Sequence, residues 1–407
     1  MTNDKEFSTD RKDNMFKNIG FVIFVSVVCV CSNLSQLPLL IGSEVAKFTI
    51  ITMWTLLGGV LFVIAQKNKI LHSYTSFILV VSIWFGFIVA IMELLTPGLY
   101  FASSMLYPFY LSIFVFIVGY KSAVKITTES FKVVIWAYAI SSAAVAISIY
   151  LIAFQFYSGL DSRAYLYASK NSVSQIIFTA VIFILIMFKP KKFVIGVGKY
   201  LVILLLVGEL LLLRSRATII CIPLLLVVII LFDVRKQRIW ATLALLSLLI
   251  FVLSNQTFYD LNVNSVLLGG RSIDNLNDIS SGRVSMAQSF FPAFSQHIWF
   301  GSGGSKEIYI ESFPLSALVQ HGIIGATPLL LMAVLPLYYG IKLPAKLGKW
   351  KILLIAISAT YLLNGLFEEL TPFGPGVKNY MLWFLFGLLV GWNKLEKTIR
   401  RQDGNFR

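Results

Sequence analysis

Apolar runs long enough to cross the ~30 Å hydrocarbon core of a bilayer recur along this chain from Gly20 to Trp392, and their interiors hold almost no charge. In lipid every backbone N–H and C=O must be satisfied within the protein, which leaves helices or a closed barrel, and runs of this length select helices. The hydropathy predicts an all-α polytopic membrane protein of about twelve transmembrane helices, near 19–39, 47–65, 75–95, 101–119, 132–156, 172–188, 197–213, 217–233, 239–254, 314–340, 351–368 and 377–393. One long connection interrupts them, residues 255–313, rich in Asn, Ser, Gly and Asp, with a short helix expected over 285–294. No soluble domain or internal repeat is evident, so residues 1–407 read as a single transmembrane domain that includes this loop.

Charge supplies an orientation. With a cytoplasmic N-terminus, the inside segments carry 25 of the 34 Lys and Arg residues, and every short inside loop is basic. This asymmetry predicts that both termini are cytoplasmic and that the 255–313 loop is extracytoplasmic. The net charge of +15 is then an orientation signal with attraction to anionic membrane lipid. Nucleic acid is not an expected partner, because no basic patch sits on a folded soluble domain. The polar first eighteen residues precede a full-length span with no small-residue cleavage site, so the first span is expected to be an internal start-transfer helix. Cys29, Cys31 and Cys221 lie in apolar spans at spacings that form neither a disulfide framework nor a metal site. His72, His297 and His321 are scattered, and His321, just before Gly322, reads as a packing or interfacial residue.

Some basic residues are not explained by orientation. Arg214 and Arg216 end one Leu-rich span and open the next with almost no loop between them. Snorkelling to lipid phosphate is the plain reading of such a pair. Arg163 and Arg283, on outside loops, favour an anion site instead, because the planar guanidinium fork matches pyrophosphate oxygens. Glu209, one to two turns before the pair, is expected to neutralise one of these arginines.

Several motifs follow in a fixed order: Ser162-Arg163-Ala164 with Lys170-Asn171, Leu213-Arg214-Ser215-Arg216-Ala217-Thr218, Ser281-Gly282-Arg283, the Gly301 to Gly304 cluster and Gly322-Ile323-Ile324-Gly325. Each alone is weak. In this order and on one predicted membrane side they resemble the O-antigen polymerase and ligase superfamily, and the chain is similar to a Wzy-type polysaccharide polymerase over about residues 160–345. The first five spans resemble the family in hydropathy only. The resemblance implies a GT-C-like glycosyltransferase at the outer face of the bacterial cytoplasmic (inner) membrane. Its donor would be a glycan of O-antigen or capsule type on undecaprenyl pyrophosphate, and its acceptor the terminal sugar of another lipid-linked repeat unit. Chain-length regulator and flippase proteins are implied partners. No cofactor or metal is expected, since the pyrophosphate leaving group supplies the bond energy and there is no Gly-rich Walker loop.

In one place the chain departs from the family. Ligases especially carry His-Asn eleven and ten residues before the first Gly of the Gly-x-x-Gly pair, where this chain has Glu311 and Ser312. Glu311 is either a loop carboxylate paired with Lys306 or the general base that deprotonates the acceptor hydroxyl. Glu368 and Glu369 end the eleventh span and either contact sugar hydroxyls or cap the boundary, with Asn171 and Tyr309 as further sugar contacts. Asp274 and Asp278 are too few for a cation. Tyr165, Tyr167, Phe290, Phe291, Trp299, Tyr309 and Phe313 either stack on sugars or form an interfacial belt or a loop core. The alternatives are an O-antigen ligase, disfavoured by the missing His, and a polysaccharide-lipid transporter or flippase. Transporters place polar and broken-helix residues at the midplane in paired repeats, whereas the spans here read as apolar.

Overall fold

A computed structural model describes residues 18–40, 43–64, 73–153, 170–190, 192–213, 215–232, 283–304, 310–344, 347–369, 371–373 and 379–404, with isolated positions between 239 and 254. Among these residues the ordered elements are helices and there is no strand. In chain order they are α1 (Ile19–Leu34), α2 (Glu44–Ile64), α3 (Ser73–Leu95), α4 (Leu106–Ser122), α5 (Phe131–Ala153), α6 (Lys170–Met187), α7 (Phe193–Leu212), α8 (Arg216–Phe232), α9 (Arg283–Gln296), α10 (Phe313–Lys342), α11 (Gly348–Gly365) and α12 (Tyr380–Gly404). By length and composition α2, α3, α5, α7 and α10 can each cross a membrane, and α1, α4, α6 and α8 are shorter apolar helices. The ninth expected span, 239–254, lies almost wholly outside the described residues. The helix expected over 285–294 is α9, longer by two residues at each end.

Helix α12 runs to Gly404, well past the expected end at 393, and two other boundaries fall short of the hydropathy. The apolar run from residue 101 does not begin a helix, because α4 starts only at Leu106. Glu93, near the end of α3, accepts the backbone N–H groups of Gly98, Tyr100 and Phe101, the last two at 2.8 Å, and so holds the intervening chain as a loop. The run at 19–39 likewise ends as a helix at Leu34 and continues as turns.

The centre of the bundle is α12, whose residues from Tyr380 to Trp392 are all buried. Its closest neighbour is α4, and glycines set the approach. A Cβ on Gly119 would meet the Phe384 backbone, and one on Gly387 or Gly391 would meet the Phe116 or Tyr120 backbone. Lipid is as apolar as Leu, so helix association here depends on such close packing and on hydrogen bonds between helices. Asn33 of α1 donates to Tyr138 O, Ser141 Oγ and Ser142 Oγ of α5 at 3.2, 3.0 and 3.1 Å and accepts from Tyr380 Oη of α12 at 3.1 Å. Gln175 of α6 accepts from Asn364 of α11, and Thr179 Oγ1 lies 3.1 Å from Tyr361 Oη.

Lysines gather at one end of the bundle. Lys199 Nζ donates to Leu185 O and Phe188 O at 3.0 and 2.8 Å, where α6 ends. Lys351 Nζ donates to Ile341 O and Leu343 O, both at 2.9 Å, where α10 ends. Lys394 Nζ reaches Tyr120 Oη at 2.9 Å. Lys199 and Lys351 thus serve the orphan carbonyls of helix C-termini, where the helix dipole also favours a cation.

Candidate functional site

The opposite end is built around a break in α10. At Gly322 the backbone takes φ 61° and ψ −171°, which no helix contains and which glycine adopts without a Cβ penalty. The break frees two carbonyls before it and two N–H groups after it, and in lipid each unsatisfied group would cost several kcal/mol. The segment 297–304 supplies all four partners. Ser302 N donates to Val319 O at 2.8 Å and Gly303 N to Gln320 O at 2.9 Å, while Ile323 N and Ile324 N donate to Ile298 O at 2.8 Å and Trp299 O at 3.0 Å. The two backbones approach so closely that a Cβ on Gly301 would strike the Gln320 carbonyl and one on Gly322 would strike Trp299 and Phe300. The glycine cluster and the Gly-x-x-Gly pair are therefore two halves of one backbone junction.

The loop before α4 closes the junction from the other side. Tyr100 Oη donates to Gly301 O at 2.8 Å, and Gly304 N donates to Leu99 O at 2.7 Å. Burial raises the Tyr100 phenol above its ordinary range, which keeps it a neutral donor. Ile310, Val319, Phe290 and Ala293 form a small core that seats α9 on the first half of α10.

A polar network runs through this junction. Ser103 Oγ lies 2.8 Å from His321 Nε2 and donates to Gln320 Oε1 at 2.8 Å. A hydroxyl has one proton, so His321 must carry its own on Nε2 and donate it to Ser103. Gln320 Nε2 then faces the other way and donates to Glu369 Oε1 at 2.7 Å and to Ser316 Oγ at 2.9 Å. Ser104 and Ser316 also donate to Glu369 Oε1, at 2.7 and 2.9 Å. The donors thus run in one direction, from buried His321 to half-buried Glu369. His321 packs edge-on against Phe85, with ring centroids 5.0 Å apart, so it is a packing residue that also orients an amide.

The residues expected from the sequence divide. Arg163, Arg214 and Tyr309 lie outside the described residues, as do Tyr165, Tyr167, Asp274 and Asp278. Arg216 opens α8 and Arg283 opens α9, but their side chains are also outside the description, and with them the expected pairing of Glu209, which is buried in α7. Asn171 Oδ1 accepts from Ser215 Oγ at 3.2 Å, so Asn171 stands at the turn between the two arginines. Glu311 is half-buried just before Ser312, the residue that precedes α10. Glu368 is buried and accepts from Thr371 Oγ1 at 3.2 Å, so these consecutive carboxylates face different surroundings. Phe290 and Phe313 are core residues, whereas Trp299 and Phe291 are exposed.

Sequence reasoning did not single out Ser103, Ser104, Ser316 or Gln320. The available signal was their setting, with two serines opening an apolar run and Gln-His directly before a glycine inside a span. The expectation of apolar, unbroken spans is corrected as well. Helix α10 is broken nine residues from its start, and buried Asn33, Gln175 and Asn364 lie within α1, α6 and α11. Asn33 meets Ser141 and Ser142 near the middle of α5, so buried polarity is not confined to the helix ends.

Residues 201–330 match the model of a family described as O-antigen ligase. The matched stretch contains Arg214, Arg216, Arg283, Glu311, the Gly301 to Gly304 cluster and Gly322. It supports a likeness to the O-antigen polymerase and ligase superfamily, whose members are enzymes of polysaccharide synthesis acting on lipid-linked glycans, and it is equally compatible with polymerase and ligase. No curated protein matches the chain.

Proposed function

We propose that this chain is a polysaccharide polymerase that transfers an undecaprenyl-pyrophosphate-linked glycan onto the terminal sugar of a lipid-linked repeat unit. The reading rests above all on the junction at Gly322. The family-matched stretch folds there into a backbone joint beside which polar side chains from α10 and its flanking connections gather at one end of the bundle. In this reading that end faces outward from the cytoplasmic membrane and both termini are cytoplasmic, with 255–313 as the extracytoplasmic loop. Labelling of Ser280→Cys in intact cells tests the orientation, and labelling only after the inner face is opened reverses it.

The chemistry follows from the charges. Arg163, Arg214, Arg216 and Arg283 hold the pyrophosphate and stabilise it as its charge grows. Glu311 takes the proton of the acceptor hydroxyl as that oxygen bonds to the anomeric carbon, and the electron pair of the breaking bond leaves with undecaprenyl pyrophosphate. One displacement inverts the anomeric centre. Purified protein in nanodiscs, given lipid-linked repeat units without nucleotide or metal, should lengthen them. Transfer only to a lipid A-core acceptor would make the protein a ligase, and movement of the glycolipid across vesicles without a new glycosidic bond would make it a flippase. Co-purification with a chain-length regulator or flippase from native membranes tests the partners that the superfamily likeness implies.

A further inference from the structure

Among the described residues, every hydrogen bond that Glu369 accepts ends on the same oxygen. Ser104 Oγ, Ser316 Oγ and Gln320 Nε2 donate to Oε1, whereas Oε2 accepts none among the described residues. A carboxylate offers about four lone-pair sites over its two oxygens, so three donors crowded on one of them fix the group's orientation and leave the other oxygen available. The arrangement is rigid because Gln320 is itself held by Ser103 and, through it, by His321. Ser316, Gln320 and His321 are buried, Glu369 is half-buried and Ser104 is exposed, so the network opens to solvent at its carboxylate end.

We propose that Glu369 Oε2 and Ser104 Oγ form a subsite for a pair of sugar hydroxyls. A fixed carboxylate oxygen accepts one hydroxyl proton, and the neighbouring serine oxygen, which already accepts from Gln320 Nε2 at 3.2 Å, accepts from the adjacent hydroxyl on its second lone pair. The same negative charge repels phosphate, which separates this subsite from the pyrophosphate-binding arginines. Its ligand is therefore the hydroxyl-rich glycan itself. Its assignment to the acceptor sugar rests on the polymerase reading above; its recognition of a glycan does not.

The probe is the free repeat-unit oligosaccharide, released by mild acid from the lipid-linked form made by the source cell, so that it carries no pyrophosphate. Binding to the purified full chain in nanodiscs is measured by calorimetry, beside the polymerisation assay. The wild type should bind it saturably. Glu369→Gln keeps the shape but replaces an acceptor by a donor, and should weaken binding on the order of ten- to a hundred-fold. Ser104→Ala, at an exposed position where misfolding is not a concern, should weaken it a few-fold, and in the polymerisation assay both should raise the acceptor KM more than they lower kcat. No binding by the wild type, or equal binding by Ser104→Ala and a folded Glu369→Gln, would overturn the proposal. Glycan binding that depends on Glu369 without any polymerisation would keep the subsite and remove the polymerase reading.

Discussion

The two ends of the bundle satisfy the same kind of orphan backbone group by opposite means. At the lysine end, ammonium groups on flexible stems reach the last carbonyls of α6 and α10. At the glycine end, the carbonyls and N–H groups freed by the α10 break are bonded by another backbone, with no charge involved. Lysine stems can swing aside and exchange their carbonyls for water or lipid headgroups. A backbone junction sealed by glycines has no such alternative, and the polar side chains fixed to it keep their positions. Preorganised geometry of this kind is what binding and transfer chemistry require, because donors that are already placed cost no reorganisation when charge develops.

Substitution at the junction should have the largest effect. Gly322→Ala forces a Cβ into the Trp299 and Phe300 backbone at a positive φ. Left-handed strain and overpacking together cost about 3 kcal/mol, and the four backbone bonds of the junction are lost if it opens. Transfer should vanish and the melting temperature of the purified protein should fall. Gly208→Ala in α7, where an added Cβ meets nothing within 4 Å, is the control and should leave both unchanged. Full activity in Gly322→Ala would show that the junction is not a rigid platform.

The next effects separate chemistry from scaffold at the same end. Glu311→Gln should reduce polymerisation by about 10² to 10⁴, the usual worth of a general base, while the fold and glycan binding stay intact. Near-normal polymerisation would move the base elsewhere, most naturally to Glu368 or Glu369. Arg216→Lys keeps a charge but loses the planar fork, and should lower the rate by about ten-fold or more at an unchanged protein level. Wild-type polymer from Arg163→Ala, Arg216→Ala and Arg283→Ala alike would make these arginines interfacial anchors.

What the sequence disclosed follows from where the information resides. Apolar runs are local, so helices were legible, and so was α9 within the long loop. The break at Gly322 was not, because a glycine in a span is usually tolerated as helix, and its positive φ is imposed by residues 297–304 pairing across it. Nothing in the sequence marked Glu93, which organises the loop before α4 by accepting three backbone N–H groups. Glu368 and Glu369 are chemically identical neighbours, and only the three-dimensional arrangement sends one to Thr371 and the other to Ser104, Ser316 and Gln320. The Gly-x-x-Gly signature was visible, but its role as one face of a backbone joint needed the other face.

The smallest effect belongs to the lysine end, and it tests the comparison most directly. Lys351 donates to two carbonyls at the end of α10, and its side chain is only partly buried. Replacing it by Met removes both bonds but keeps the apolar stem, and the freed carbonyls are near enough to the surface to be hydrated. Hydrogen bonds that water can replace contribute little net, so Lys351→Met should cost about 1 kcal/mol of stability and leave transfer unchanged. Lys351→Arg should recover most of that loss, since the cation at the helix C-terminus is retained. Melting curves and initial rates on the three proteins read both quantities. If Lys351→Met destabilised the protein as much as Gly322→Ala, the lysine end would be as rigidly built as the glycine end. The contrast between a replaceable cap and a fixed junction would then fail.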